Sequence, residues 1–257
     1  MKKTVVKLTT LITLFIFSIG TSHALVLDLY AVSGVNTPEK RAGMIEGFEN
    51  FKNLAENGGA SWMDFTLSMK IKGDGYNETL LFAAVYENNS EMMKTNALFA
   101  TNQPWFDNNF NIETDQVVNA VFQTPPGVEV DYDGAEVGNT LWYGLINVTD
   151  FLNFVNRFPQ MPDKMAESGI EGQLGLVSCS ICPASMGETT HMMFLSNDTL
   201  EDMGSDLDSF DFAMQRWFYS NIRPFVEQVD TGMNTVSYTH LRAHETLRYL
   251  VCRLLLE

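Results

Sequence analysis

The sequence predicts an α+β fold of two tandem β-α-β-β-α-β units, the second truncated, with antiparallel sheets covered by helices on one face. Three observations carry this. The order of apolar patterns between Leu25 and Phe122 recurs from Thr140 to the region of Val226. Each copy has a hairpin running into a cap-forming triplet, Asn88-Asn89-Ser90 in the first and Asn197-Asp198-Thr199 in the second. Each then has a helical stretch bearing Trp-Phe, Trp105-Phe106 and Trp217-Phe218.

In the first copy, residues 25–124, Leu25 to Val32 is β-like and ends at Gly34 and Pro38. Met44, Ile45, Phe48, Phe51, Leu54 and Ala55 then recur at helical spacing over Pro38 to Asn57, and Asn57-Gly58-Gly59 stops them. Met63, Phe65, Leu67, Met69 and Ile71 alternate with Asp64, Thr66, Ser68, Lys70 and Lys72, a strand with one apolar and one wet face. Gly73-Asp74-Gly75 turns it into Thr79 to Tyr86, Ser90 is the expected cap of the next helix, and Val117 to Phe122 is the closing strand. Residues 125–139, rich in Pro, Gly and acids, read as a connector.

In the second copy, residues 140–235, Thr140 to Val148 is a strand, and the helix over Asp150 to Ser168 is interrupted at Pro159 and Pro162. Gln173 to Cys179 and Thr190 to Ser196 form the hairpin, and Thr199 with Asp202 makes a capping box for a helix that runs through Phe210, Met214, Trp217 and Phe218 to Pro224. A closing strand is expected near Val226 or beyond the truncation.

Residues 1–24 have the basic start (Lys2, Lys3), apolar run (Leu11 to Ile19) and small residues (Ser22-His23-Ala24) of a secretory signal peptide, with cleavage expected before Leu25. Residues 236–257 are basic and leucine-rich after an acidic chain. They resemble the translation of a transposase-based sequencing adapter, with Thr246 to Tyr249 as its variable index. On that resemblance they are a non-native tail. His240, His244 and Glu245, which imitate a zinc helix, are then set aside together with Arg242, Arg248, Arg253 and Cys252.

The formal net charge of −16 deepens once the lysines of the leader and the arginines of the tail are removed. Such a chain is ill suited to nucleic acid or anionic membranes, which reward lysine and arginine. Its 45% hydrophobic content supports a packed core.

A β-α-β-β-α-β unit is the ferredoxin-like motif, and two in tandem resemble the duplicated form of the dimeric α+β barrel superfamily. The resemblance covers most of Leu25 to Val229. It implies paired sheets facing one another across a cleft, in a superfamily that includes small monooxygenases and haem-handling proteins.

The chemically versatile side chains gather in Gly172 to Phe194. Cys179 and Cys182 have the C-x-x-C spacing, and in an exported protein the expected fate is a disulfide. Extended residues three apart lie roughly 10 Å apart, beyond the limit of about 7 Å for bridged Cα atoms, so a bridge requires the strand to end at Cys179 and turn through Ser180 and Ile181. Thiol exchange is a second reading of the pair. A copper site of Cys179, Cys182, Met186, His191 and Met192 is a third, since sulfur and imidazole suit Cu(I). Period-two alternation puts Cys179 and Met192 on one face and His191 on the other. Asp202, Asp206, Asp208 and Asp211, and Asp131 to Glu136, lack full calcium-loop spacing and read as solvated. Trp105, Phe106, Trp142, Tyr143, Trp217 and Phe218 are candidates to line an apolar cleft. There is no Gly-rich phosphate loop and no G-x-S-x-G elbow.

The leading expectation is therefore an exported acidic binding or scaffold protein, not an enzyme, taking a small apolar ligand or a protein partner and no cofactor. The alternatives are a periplasmic copper or thiol-redox protein, and a monooxygenase-like enzyme of the α+β barrel type that needs neither haem nor flavin.

Overall fold

The computed structural model describes residues 25–60, 62, 64–73, 80–102, 116–125 and 135–241. The leader, Trp105, Phe106, residues 126–134 of the connector and residues 242–257 lie outside them. The first unit comprises β1 (Val26–Ser33), α1 (Pro38–Asn57), β2 (Asp64–Lys72), β3 (Leu80–Tyr86), α2 (Asn89–Thr101) and β4 (Gln116–Gln123). The second comprises β5 (Thr140–Val148), α3 (Phe151–Arg157), α4 (Met161–Glu167), β6 (Gln173–Ile181), β7 (His191–Asn197), α5 (Leu200–Asp208), α6 (Phe212–Asn221) and β8 (Val226–Leu241).

Local chemistry sets the helix boundaries. The Thr37 hydroxyl accepts the Lys40 N–H at 3.2 Å, Pro38 follows at the first helical position, and Gly59 ends α1 at φ 80°. Asn88, rather than Ser90, caps α2, its side-chain oxygen accepting the Glu91 N–H at 3.1 Å. Asn and Ser are nearly equivalent caps, and Asn88 is the one at the N-terminal edge of the helix. Asp150, Thr199 and Asp211 do the same for α3, α5 and α6. A short 3-10 turn at Phe158–Gln160 separates α3 from α4, where Pro159 and Pro162 forbid a continuous ladder.

All eight strands close into one antiparallel barrel in the order β1-β3-β2-β8-β5-β7-β6-β4. Each unit contributes four strands in the same order, β4-β1-β3-β2 and β8-β5-β7-β6, the ferredoxin-like arrangement. Two seams join the units. The β2–β8 seam runs from Asp64↔Leu241 to Lys72↔Met233, so β8 continues past Thr235, the limit expected for the second unit. The β4–β6 seam is short, with Val121↔Ile181, Phe122↔Cys179 and Gln123↔Ser178.

Helices cover the outer face of each half. Val26, Phe48, Phe51, Trp62, Phe65, Leu67 and Phe82 form the core beneath α1. Phe154, Met165, Leu176, Met193, Met203 and Met214 form the core of the second unit. Fully burying one such side chain is worth about 1.5–3 kcal/mol, so these outer-face layers hold the units together. Asp28 is buried in the first layer, accepting from Asn119 Nδ2 at 2.7 Å and from the Tyr30 hydroxyl at 3.3 Å. Burial nevertheless holds its carboxyl above the ordinary value.

The wet face expected of β2 is not on the outside. Thr66, Ser68 and Lys70 point into the barrel, while Phe65, Leu67 and Met69 meet the helices. Barrel closure gives the strand a second interior, and a polar face is tolerated there because it surrounds a cavity.

Candidate functional site

A cavity of about 1780 Å³ runs along the inner faces of the strands and out past them, where Pro162, Asp202 and Ser205 of the helices also border it. That exceeds the roughly 300–1,000 Å³ of ordinary small-molecule sites. The wall of the first unit is made of modest side chains. Ala120, Leu29, Ala83 and Thr66 form one row across β4, β1, β3 and β2, and Val118, Ala31, Leu81 and Ser68 the next. The wall of the second unit carries the rings. One row there reads Gly232, Tyr143, Phe194, Gly175 across β8, β5, β7 and β6, and the two rings lie over the two glycines, where any Cβ would overlap them.

The two seams differ in polarity. At β4–β6 the lining is apolar: Ala120, Phe122, Val177 and Met192, with Cys179 and Met186 packed beside them. At β2–β8 it is polar. Lys70 faces Asn234 across the seam and Ser68 and Thr66 lie along it, while Asp230 of β8 lies beyond its end, opposite Leu145 of β5. Lys70 and Asn234 are 7% and 4% exposed, and Asn234 Oδ1 has no hydrogen-bond partner among the described residues. The Tyr143 hydroxyl reaches toward this side. Its pKa is pushed up to about 12, first by burial and then by the nearby Asp230 carboxylate, so it is a fixed proton donor.

Cys179 and Cys182 stand at disulfide distance, Cα–Cα 5.9 Å, and their sulfurs are joined. The strand does not end at Cys179 as the bridging argument required. It runs on to Ile181 with a register shift opposite Val121 and Phe122, so that Ser180 is the extra residue of a bulge, and the bulge supplies the shortening. Met186 and Met192 lie on the lumen side with Cys179. His191 lies on the other face of β7, its ring 5.8 Å from that of Phe151 and 6.1 Å from that of Phe154. Its Nδ1 pairs with the Thr190 hydroxyl at 2.9 Å, Nε2 is buried without a partner, and burial lowers its pKa. The five residues considered for copper are thus divided by the sheet. Among the described residues no group of three or more His, Cys, Asp and Glu side chains could hold a metal.

Of the aromatic residues expected in a cleft, Tyr143 lines the lumen. Trp142, Trp217 and Phe218 pack in the helix-covered layer of the second unit. Asp206 is structural, its carboxylate accepting from Glu171 N, Gly172 N and Asn197 Nδ2 at 3.0, 2.8 and 2.6 Å. Lys70, Phe194, Asp230 and Asn234 were not singled out by motif; the one sequence signal for any of them is the polar half of the β2 alternation.

Haem is handled by part of the superfamily that the sequence resembles, and His191 is not placed to ligate one in the lumen: its ring is buried against Phe151 and Phe154 on the other face of the sheet.

No known family profile and no curated protein sequence matches the chain. Solved structures do. An anthrone oxidase-like protein superposes with a TM-score of 0.56 at 13% identity, covering 85% of this chain and 93% of its own. A candidate monooxygenase from Lactobacillus acidophilus NCFM gives 0.52 at 9%, covering 85% and 96%. A candidate chlorite dismutase gives 0.50 at 8%, covering 83% and 94%. At these identities the likeness establishes the fold: this chain is an α+β barrel closed within one polypeptide.

Proposed function

We propose that the protein is a monooxygenase-like enzyme that takes a small aromatic carbon acid or phenol into the barrel lumen and oxidises it with dioxygen. The observation that supports this is a buried, protonated Tyr143 with the Asp230 carboxylate nearby, in a cavity that the Tyr143 and Phe194 rings line on one wall. An apolar wall holds the rings of the substrate, and the polar side meets its oxygen. In the proposed reaction Asp230 takes a proton from the activated carbon, and Tyr143 donates a hydrogen bond to the oxyanion that develops. The carbanion is oxidised by dioxygen at that carbon, so that a ring CH₂ and O₂ become a ring C=O and H₂O. The base, the donor and dioxygen suffice for this balance. The names of two fold neighbours, an anthrone oxidase-like protein and a candidate monooxygenase, are in keeping with it.

The test is oxygen uptake with anthrone as the probe, comparing the protein with a buffer blank and identifying the product by mass. Dioxygen consumed in step with the quinone supports the reading. Anthrone bound and recovered unchanged would replace it with the second reading, an exported ligand-binding protein. The joined Cys179–Cys182 pair suits the second reading too, because such bridges persist outside the cytoplasm. Export itself is checked by a mature mass beginning at Leu25.

A further inference from the structure

The loop that joins β6 to β7, residues 182–190, borders the cavity through Ser185, Met186 and Gly187. Gly187, at φ 61°, brings it against β8, where a Cβ on the glycine would stand 3.6 Å from Val229 Cγ1. The half-buried Met186 packs on the inner-face cluster of Ala120, Phe122, Tyr143, Leu145, Val177 and Met192. A loop that leaves β6, reaches β8 and sets a methionine among inner-face residues lies over the end of the barrel where Asp230 stands.

Its attachments are side chains. Among the described residues, the backbone hydrogen bonds of Pro183 to Gly187 stay inside the loop: the Met186 N–H donates to Pro183 O at 2.9 Å and the Gly187 N–H to Ala184 O at 3.1 Å. The ties to the barrel are the Met186 packing, a bond from Asn147 Nδ2 to Glu188 Oε2 at 3.3 Å, and the bridge from Cys182 back to Cys179 on β6. A segment held in this way opens at lower free energy than a strand. Methionine, unbranched and flexible, suits an opening that must both close and clear. The two ends of the cavity also differ in polarity. Ile181 and Val229, both exposed, flank the loop, whereas Glu136, Glu171, Asp198 and Asp202 border the opposite end, so an apolar ligand meets apolar surface beside the loop.

We propose that residues 182–190 form a lid over this end of the cavity, with Met186 as its stopper and the Cys179–Cys182 bridge as its latch. This rests on the reading of the lumen as the ligand site, and adds how a ligand enters it. Both cysteines are half-buried and open to a small dithiol. A thiolate of the reagent attacks one sulfur, the protein S–S bond breaks, and the reagent leaves as its own disulfide while its two thiol protons end on Cys179 and Cys182. The Met186 and Glu188 contacts then hold the lid without the bridge, and it opens more often.

The test is stopped-flow binding of N-phenyl-1-naphthylamine, a neutral apolar dye that brightens on leaving water. It is applied to the full chain with the bridge intact, to the chain reduced with dithiothreitol, and to Met186→Ala in both states, with free-thiol titration to verify each state. Reduction is expected to raise the association and dissociation rates together by about tenfold, the factor that corresponds to the apolar burial of a half-buried methionine, and to leave Kd nearly unchanged. Met186→Ala with its bridge intact should do the same, and reduction of that variant should add little, because the stopper is already gone. A weakened Kd with an unmoved association rate would make Met186 part of the cavity wall and overturn the lid. Rates indifferent to both reduction and Met186→Ala would overturn the lid and leave the lumen reading standing, since the dye still binds. No binding in any state would overturn both. Should reduction unfold the chain, seen as loss of its circular dichroism, Met186→Ala with the bridge intact decides by itself.

Discussion

Tyr143 and Phe194 stand directly opposite one another on β5 and β7, and each ring lies across a glycine on the next strand out, Tyr143 over Gly232 and Phe194 over Gly175. The glycines are what let two large rings lie flat against the wall of the barrel instead of filling it. The volume of the lumen depends on this row.

Gly175→Ala is therefore expected to push the Phe194 ring off the wall and to destabilise the protein by about 1–3 kcal/mol, the usual cost of overpacking. Phe194→Leu in the same chain should recover part of it, with a coupling of at least about 0.5 kcal/mol in a double-mutant cycle. Urea denaturation of the four proteins measures it, and strict additivity would contradict the packing described.

The disulfide sits at the weaker seam. A four-residue ring removes little chain entropy, so loss of the bridge should cost at most about 2 kcal/mol globally. The effect is expected to be local: in Cys179→Ser/Cys182→Ser, amide exchange should quicken at Val121, Phe122 and Ser178 and stay unchanged along β2 and β8. Uniform acceleration would mean that the bridge acts as a general staple.

His191 gives the fold an acid sensitivity of known sign. Burial lowers its folded pKa below the ordinary 6.5. As pH falls through 6.5 the unfolded chain takes up a proton that the folded ring resists, so the stability it contributes is complete above that value and is lost on acidification. His191→Gln should flatten the fall in urea midpoint between about pH 7 and pH 5 relative to wild type. Equal slopes would show that the ring titrates freely.

In the proposed oxidation, Tyr143→Phe is expected to lower kcat by about 10²–10³ with little change in KM, as for the loss of one oxyanion donor. Asp230→Asn should lower it by about 10²–10⁴. Because the Tyr143 hydroxyl keeps its proton up to about pH 12, its ionisation should cause no alkaline loss of rate in the working range. Steady-state oxygen uptake across pH tests all three.

The duplicated order of elements was legible because each hairpin, cap and proline break is a local signal. Closure was not. The β2–β8 and β4–β6 seams pair strands from different units, and no window of sequence records such a partner. That is why the polar face of β2 reads as wet when it lines a cavity. Period two also separates neighbours: Trp142 and Tyr143 are adjacent in the chain and so face opposite ways, one into the core and one into the lumen. The cysteine bridge was legible from spacing, whereas the bulge at Ser180 that permits it depends on the register with β4. Asn234 carries no motif at all. It becomes conspicuous only when its burial and its missing partner are both known.

The alternation along each strand also bears on how such a protein can change. Residues that hold the helices and residues that face the lumen interleave one by one, yet a sheet lies between them. Substitutions at Leu29, Ala83, Ser68 or Val177 can therefore redraw what the interior accepts while the outer layers of Phe51 and Phe154 stay intact. A lineage built on this plan is free to explore new chemistries at small risk to its architecture.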